Sequence, residues 1–352
     1  MKRQLLFLLA VAAVPAGASG RVELVPLDVH VGGVTRVVTE GDGPVHEYVW
    51  PGVWFEANFA GPSVSFAVED DHNILNVYVD DKLELVLPRA GRRDVTLTNL
   101  GAGEHTVRIE KTTETQGPTA RFLGFFVTDA DEQRAPPAYA RAIEFIGDSF
   151  TVGYGNTSTG TACTVTQVSD TTNTSLAFGP LVAKHLNADY RIVASSGFGM
   201  VRNYANKEPG TTMPVLYRRA VSEESDREWQ PDAIVIWLGT NDFSTELGVN
   251  EQWAGTAALH DDYRTTYIAF VESLRRASPQ ADILLVGSGR FVDDVRAVHA
   301  RLAKRAGKGV AMLVIDGLDY QGCHGHPSVA DHEAIATRVI EALSALSAAT
   351  PD

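Results

Sequence analysis

The chain changes character across Asp129-Ala130-Asp131-Glu132-Gln133-Arg134-Ala135-Pro136-Pro137-Ala138, a stretch that is first polar and then interrupted by two prolines. Before it, apolar residues recur with a period of two. Beyond it, short apolar runs alternate with longer segments of helical spacing. Because composition of this kind is typical of the exposed linkers between domains, we predict a linker over 129–140, one domain over 21–128 and a second over 141–352.

The region before the linker consists of short alternating runs, the clearest of which are residues 53–59, 63–68 and 75–79. Turn residues separate the runs, and no segment of helical period intervenes. A period of two predicts strands, and many short strands without helices predict two packed antiparallel sheets. We therefore expect an all-β sandwich of jelly-roll type.

The region after the linker alternates strand-like with helix-like segments. The predicted strands are 142–146, 192–194, 233–238, 283–286 and 310–315, and the predicted helices are 175–186, 262–276, 292–306 and 329–346. This alternation predicts an α/β domain in which helices cover both faces of a parallel sheet. Ligands bind at the carboxyl ends of the strands in such sheets, so the loops after the strands are the place to look for functional residues.

Charge excludes one class of partner. The 352 residues contain 30 Lys and Arg against 44 Asp and Glu, which gives a formal net charge of -14. Binding to a phosphate backbone has no electrostatic support at this charge. We expect no nucleic-acid partner.

Residues 1–20 have the pattern of a secretory signal peptide: a basic start at Lys2 and Arg3, an apolar run from Leu5 to Val14, and small residues after it. The apolar run is shorter than the ~18 residues of a membrane-spanning helix, and no later segment reaches that length. We therefore expect an exported protein, extracellular or periplasmic, without a membrane partner.

Four loops at the predicted sheet edge carry candidate catalytic residues. Ser149 follows the first strand, Gly197 the second and Asn241 the third, while His326 stands just before the last helix. Each motif alone is also ordinary turn or helix-cap chemistry. Together they supply a nucleophile, amide donors for an oxyanion and a base, which favours acyl transfer.

These four blocks resemble the SGNH-hydrolase superfamily, also called the GDSL esterases. Further motifs are similar to those of carbohydrate esterase family two: Trp50-Pro51-Gly52-Val53, Gly103-Glu104-His105-Thr106-Val107, Gly153-Tyr154-Gly155-Asn156, Val201-Arg202-Asn203-Tyr204 and Leu238-Gly239-Thr240-Asn241-Asp242-Phe243-Ser244. The resemblance spans nearly the whole chain after the signal peptide. It implies a jelly roll packed on a flavodoxin-like esterase domain. It also implies removal of acetyl groups from plant polysaccharides such as xylan or glucomannan, with a polysaccharide or oligosaccharide as the partner.

The resemblance also implies residue roles. It assigns the nucleophile to Ser149, the oxyanion donors to Ser149, Gly197 and Asn241, and the base to His326. No cofactor is implied.

One position departs from the superfamily pattern. The aspartate that usually precedes the histidine by three residues is replaced by Cys323. We therefore expect a dyad, and the resemblance to carbohydrate esterase family two implies that a backbone carbonyl of the turn 322–325 orients the imidazole. Asp319 is the alternative acid.

The two cysteines, Cys163 and Cys323, predict one disulfide in an exported chain, and two unpaired thiols are the alternative. A metal site is a further alternative for a cluster of potential ligands, namely Cys323, His324, His326, Asp331 and His332. We expect no metal.

Candidate substrate-lining residues are named from their positions in these loops: Tyr154, Asn203, Tyr204, Trp237 and Phe243. Two other functions fit the same sequence. One is a catalytically weak carbohydrate-binding protein that stacks sugars on Trp50 and Trp54. The other is an SGNH esterase that acts on another small acyl ester. The presence of Ser149, Asn241 and His326 together favours the enzyme.

Overall fold

The computed structural model describes residues 24–41, 43–223, 228–304 and 309–349. The predicted signal peptide lies outside these ranges. Within them, no helix combines the length and the apolar character that crossing a bilayer requires.

The region before the linker folds as two antiparallel sheets. In the described residues its strands β1 to β11 are, in chain order, Val25–Pro26, His30–Gly32, Thr35–Glu40, Gly43–Tyr48, Trp54–Ala60, Ser63–Asp70, Ile74–Val79, Lys82–Pro88, Gly91–Thr98, Glu104–Lys111 and Ala120–Val127. One sheet has the order β3-β4-β11-β6-β9, with β1 paired to β11, and the other has the order β2-β5-β10-β7-β8. The sheet-rich region that the alternation predicted is confirmed.

The core of this sandwich follows from the alternation, because every second side chain of a strand points to the same face. Phe55 of β5 and Phe122 of β11 come from different sheets, and their stacked ring centroids lie 4.1 Å apart. Phe125 packs edge-on against Phe122 at 4.9 Å. These buried rings join the two sheets.

The second region contains a parallel five-stranded sheet. Its strands β12 to β16 are Ala142–Gly147, Asp189–Ala194, Ala233–Trp237, Asp282–Ser288 and Val310–Ile315. The order β13-β12-β14-β15-β16 is the 2-1-3-4-5 order of flavodoxin-like sheets. The predicted parallel sheet is confirmed, and β13 begins three residues earlier than the apolar run indicated.

Helices cover the sheet, and their bounds differ in places from the prediction. In the described part of the chain, α1 to α8 are Ser149–Val152, Val165–Thr171, Phe178–His185, Met213–Glu223, Thr240–Phe243, Thr256–Ala277, Val292–Leu302 and Val329–Ala349. The predicted helix at 175–186 begins only at Phe178, because Thr174–Leu176 forms a separate 3-10 turn, in which the side chain of Asn173 accepts the amide of Ser175. The sequence pattern did not predict α2 or α4.

The two regions pack through an aromatic contact. Trp54 of β5 is fully buried, and its ring stacks on that of Tyr190 of β13 at 5.6 Å. The guanidinium of Arg108 lies 3.7 Å from the centroid of the same indole. Burial of an aromatic side chain removes roughly 150–250 Å² from water, worth about 4–6 kcal/mol before entropy is counted. Trp50 is 8% exposed and borders a surface pocket, so burial excludes Trp54, but not Trp50, from stacking on a sugar.

Candidate active site

The ends of three adjacent strands bring the predicted residues to one edge of the sheet. The last residue of β12, Gly147, pairs with Ala194 of β13 on one side and with Trp237 of β14 on the other. Ser149 begins α1 directly after β12, and Asn241 lies in the short α5 after β14. Parallel pairing in register therefore places the loops after these strands side by side.

Ser149 and His326 form a hydrogen-bonded pair. The Ser149 Oγ lies 2.8 Å from the His326 Nε2, and the His326 Nδ1 lies 2.9 Å from the backbone oxygen of Cys323. Because a carbonyl oxygen only accepts, Nδ1 carries the ring proton, and Nε2 accepts from the serine hydroxyl. Burial lowers the pKa of His326 to about 4, so the imidazole is the neutral base at neutral pH.

The histidine is oriented by a backbone carbonyl and not by a carboxylate. Both ring nitrogens of His326 are engaged by Ser149 and Cys323, which leaves no nitrogen for Asp319. The backbone amide of Asp319 instead donates to Asp331. The structure corrects the alternative in which Asp319 serves as the orienting acid.

The turn that supplies this carbonyl is tied down covalently. Cys323 is joined to Cys163 by a disulfide, with the two Cα atoms 5.5 Å apart, and the described residues contain no free cysteine. The turn also lies against Gly155, where an added Cβ would come within 2.3 Å of the Cys323 Cβ. The predicted disulfide is confirmed, and the unpaired thiols are excluded.

The disulfide also removes the sulfur from the metal alternative. Its other members are engaged elsewhere: the buried His332 accepts from the backbone amide of Phe178 through Nδ1, and Asp331 accepts from the backbone of Ser328. Across the residues that the structure describes, no three His, Cys, Asp or Glu side chains are grouped so as to hold a metal ion.

Two of the predicted oxyanion donors are backbone amides, those of Ser149 and Gly197. Ser149 is the first residue of α1, where a helix leaves its amides without intrahelical acceptors. Gly197 has a φ of +86°, a conformation that favours glycine, and open space lies where a Cβ would stand. Its carbonyl accepts from the amide of Tyr204 at 2.8 Å.

Asn241 links the turn before Ser149 to the loop of residues 195–203 after β13, called here the donor loop. Its Nδ2 donates to the Phe198 carbonyl at 2.9 Å and to the Asp148 carboxylate at 3.1 Å. Donation to a substrate oxygen therefore requires one of these hydrogens to be shared. The buried Asp148 also caps α1 by accepting from the amide of Phe150, and burial raises the pKa of Asp148 to about 7.

A second buried carboxylate fixes the loop after β13. Asp242 accepts the backbone amides of Met200, Val201 and Arg202 at 2.9, 2.8 and 2.9 Å. Burial nevertheless raises its pKa to about 6. Neither role was predicted from the sequence, although the preference of aspartate for helix caps was a usable signal for Asp148.

Comparisons with known proteins agree with this architecture. Residues 35–137 match the carbohydrate esterase 2 N-terminal family, and residues 145–334 match the GDSL-like lipase/acylhydrolase family. An acetylxylan esterase/glucomannan deacetylase of Cellvibrio japonicus (strain Ueda107) is 44% identical over 324 residues, which are 90% of this chain and 90% of the relative. The chain belongs to carbohydrate esterase family 2.

Solved structures support the same assignment. The structure of a carbohydrate esterase superposes with a TM-score of 0.83 at 42% identity, covering 91% of this chain and 98% of that one. A family two carbohydrate esterase from Clostridium thermocellum in complex with cellohexaose gives a TM-score of 0.73 at 27% identity, covering 90% and 98%. The expectation of a carboxylic ester hydrolase is confirmed.

In this esterase, three of the predicted substrate-lining residues are buried in other roles. Trp237 is fully buried, and its Nε1 donates to the Ser288 hydroxyl at 3.2 Å. Asn203 is also buried, and its Nδ2 donates to the backbone oxygens of Lys207 and Thr211. Phe243 stacks on His260 with centroids 4.4 Å apart. These contacts give no support to the substrate-lining assignments, since position along a loop does not tell which side chains face inward.

The two predicted tyrosines remain at the edge of the esterase site. The Tyr154 ring lies 4.3 Å from the His326 ring, and its hydroxyl is 3.0 Å from the Nδ1 of His324. Tyr204 is 47% exposed and follows the donor loop. That the two rings border a bound substrate stays a prediction.

Proposed function

We propose that this chain is an exported esterase that removes O-acetyl groups from plant polysaccharides such as xylan or glucomannan, or from their oligosaccharides. The observation that carries the proposal is the 2.8 Å contact between the Ser149 Oγ and an unprotonated His326 Nε2. The similarity to an acetylxylan esterase/glucomannan deacetylase supports the substrate class. The relative solved with cellohexaose supports an oligosaccharide ligand.

The reaction begins when the Ser149 Oγ attacks the acetyl carbonyl carbon and His326 takes the hydroxyl proton. The Cys323 carbonyl, bonded to Nδ1, steadies the imidazolium that forms. Collapse of the tetrahedral intermediate breaks the bond to the sugar oxygen, which receives the proton from His326, and leaves Ser149 acetylated. Water then attacks the acetyl-enzyme with His326 again as base, and acetate is released.

The negative charge on the carbonyl oxygen is met by three donors: the amides of Ser149 and Gly197 and the Asn241 Nδ2. Donors fixed before the reaction act in the transition state without reorganisation, which makes them a large part of the rate enhancement. Tyr154 and Tyr204 would border the sugar. His326 carries every proton in this scheme, which therefore requires no cofactor.

The proposal includes the finer architecture. A jelly-roll domain over 21–128, a linker over 129–140 and an SGNH-hydrolase domain over 141–352 would follow a signal peptide over 1–20. An extracellular or periplasmic location accords with polysaccharide substrates, which do not enter the cell.

Acetate release from acetylated xylo- and manno-oligosaccharides tests the proposal, with NMR of the products to show which acetyl groups are removed. We expect release by the parent protein and an acetylated Ser149 peptide after acid quenching. Lack of release from both substrates would contradict the substrate class. Parental activity in Ser149→Ala would contradict the mechanism.

A further inference from the structure

An arm of the sandwich reaches the catalytic edge of the other region. This arm, residues 112–119, connects β10 to β11. The carbonyl of Thr112 accepts the amide of Thr174 at 2.8 Å, and the Gln116 Nε2 donates to the Ala194 carbonyl at 2.5 Å. Ala194 is the last residue of β13, so the arm lies against the start of the donor loop.

The central contact of the arm is made by Glu114. Its Oε1 accepts the backbone amide of Ser196 at 2.6 Å, and its Oε2 accepts the Ser196 hydroxyl at 2.5 Å. Two charge-assisted bonds from one carboxylate to one residue fix orientation as well as position. Ser196 directly precedes Gly197, so the peptide plane that carries the Gly197 amide begins at the residue that Glu114 holds.

Other side chains hold the loop from Phe198 onward, where the carbonyl of Phe198 accepts from Asn241, and the Gly197 carbonyl accepts only a backbone amide, that of Tyr204. Asp242 bonds the amides of residues 200–202, and Asn203 accepts the amide of Gly199. Gly197 has no side chain to pack. Glu114 is therefore the side chain that fixes the peptide between Ser196 and Gly197.

The environment of Glu114 is unfavourable for a charge. Burial raises the pKa of Glu114, and the nearby Lys111 is buried, with its pKa lowered by burial to about 7. Removing a carboxylate from water costs free energy unless its oxygens form hydrogen bonds. Both oxygens of Glu114 accept hydrogen bonds from Ser196. Packing of the sandwich does not require a carboxylate at position 114.

We propose that Glu114 is a positioning residue that holds Ser196, and through it the Gly197 amide, in the orientation that stabilises the oxyanion. The inference rests on the proposed function of Ser149. On this inference the sandwich affects kcat through Glu114, which lies 82 positions before Ser196 in the chain.

Four variants test this role: Glu114→Ala, Glu114→Gln, Ser196→Ala and, as a matched control, Glu69→Ala. Glu69 lies on β6 of the same sandwich and pairs with Arg92 of β9 and Arg121 of β11, not with the donor loop. The measurements are kcat and KM for an aryl acetate and for an acetylated oligosaccharide, together with thermal unfolding.

We expect Glu114→Ala to lower kcat by about ten- to a hundredfold on both substrates with KM within about twofold, because loosening a donor costs less than the 10²–10³ of deleting one. Glu114→Gln should recover most of the loss, since its amide oxygen can accept from the Ser196 amide and its NH₂ can donate to the hydroxyl. Ser196→Ala keeps the hydrogen bond from the residue 196 amide to Glu114 and loses only the one from the hydroxyl. Its kcat should therefore lie between those of Glu114→Ala and Glu114→Gln. Glu69→Ala should match the parent.

Three results would overturn the role. These are a Glu114→Ala kcat within twofold of that of Glu69→Ala, an equal loss in Glu114→Gln, or a raised KM with kcat unchanged, which would assign Glu114 to substrate binding. If Glu114→Ala does not fold, Glu114→Gln and Ser196→Ala decide in the same way. Failure of the proposed function is separate, because it appears in the parent and in Ser149→Ala.

Discussion

Two neighbouring loops at the catalytic edge are held in place by different means. The base turn, residues 322–326, is fixed by a disulfide and presents a backbone carbonyl to His326. The donor loop, residues 195–203, is fixed by side chains, above all the carboxylates of Asp242 and Glu114. Covalent and backbone restraints persist after most nearby substitutions. In contrast, a single substitution of Asp242 or Glu114 removes one of the restraints on the donor loop.

The difference also has an electrostatic side. A carboxylate beside the imidazole would stabilise its charged form and raise the pKa of His326, while a neutral carbonyl does so only weakly. The carbonyl of the base turn therefore leaves burial as the dominant influence. Orientation of the base is achieved here without adding a negative charge next to the developing oxyanion.

The largest loss of kcat is expected for substitutions of the hydrogen-bonded pair, Ser149 and His326. Ser149→Ala and His326→Ala should each lower kcat by at least about 10³-fold, and the double variant should lose no more than either, since the nucleophile and its base act as a unit. Steady-state assays on an aryl acetate measure this. The Ser149→Ala protein should unfold at the parental temperature, because only a hydroxyl at a loop is lost. Additive losses would mean that the two side chains act independently.

The next largest loss of kcat is expected for Asn241, which bonds the donor loop at Phe198. Asn241→Ala removes one proposed oxyanion donor and the bridge to Asp148 and Phe198. We expect kcat to fall by about 10² to 10³. The kcat of the purified, folded variant decides, and a loss smaller than about threefold would show that this amide does not reach the oxyanion.

A smaller effect is expected in the dependence of kcat/KM on pH, which reports the pKa of His326 beside the base turn. Activity needs neutral His326, so kcat/KM should rise with pH through a midpoint near the pKa of about 4. About nine-tenths of the sites are then active at pH 5, and roughly a tenth at pH 3. An imidazole with its ordinary pKa near 6.5 would be only about 3% neutral at pH 5. A pH profile on an aryl acetate, with circular dichroism to verify folding at each pH, separates the two cases.

Much of the fold could be predicted because its strands are buried on one or both faces. The runs that became β12 to β16 are apolar since helices cover both sides of the sheet, and the sandwich strands alternate since one face is inside. Helix α2 was not predicted because none of its residues is buried, so it has no apolar stripe. It is held by a capping box between Thr164 and Gln167.

The site was predictable where function depends on residue type and order, as for Ser149 and His326. It was not predictable where the partner is distant in sequence. Glu114 lies 82 positions from Ser196, and Asp148 lies 93 positions from Asn241. Burial of Trp237 likewise depends on packing against Phe150 and Phe178, which no local pattern encodes.

The disulfide of the base turn should affect both stability and activity. Cys163→Ser opens a link across 160 positions, for which the chain-entropy model gives about 5 kcal/mol as an upper value. We expect a lower unfolding temperature and a several-fold loss of kcat at a temperature where the variant stays folded, because the turn that presents the Cys323 carbonyl loosens. Parental activity under those conditions would show that the bridge contributes only to stability.

The smallest effect is expected at the second histidine of the base turn. The His324 Nε2 donates to the Cys163 carbonyl at 2.8 Å, and Nδ1 accepts from the Tyr154 hydroxyl. His324 thus supports a turn that the disulfide already holds, and its two ring nitrogens bond Cys163 and Tyr154, not Ser149. We expect His324→Ala to keep kcat within about threefold, with any change in KM arising from Tyr154, and Tyr154→Phe should reproduce that change. Because His326 is oriented through the backbone of Cys323, losing one brace leaves the base in place. A loss as large as that of His326→Ala would mean that the wrong histidine has been assigned as the base.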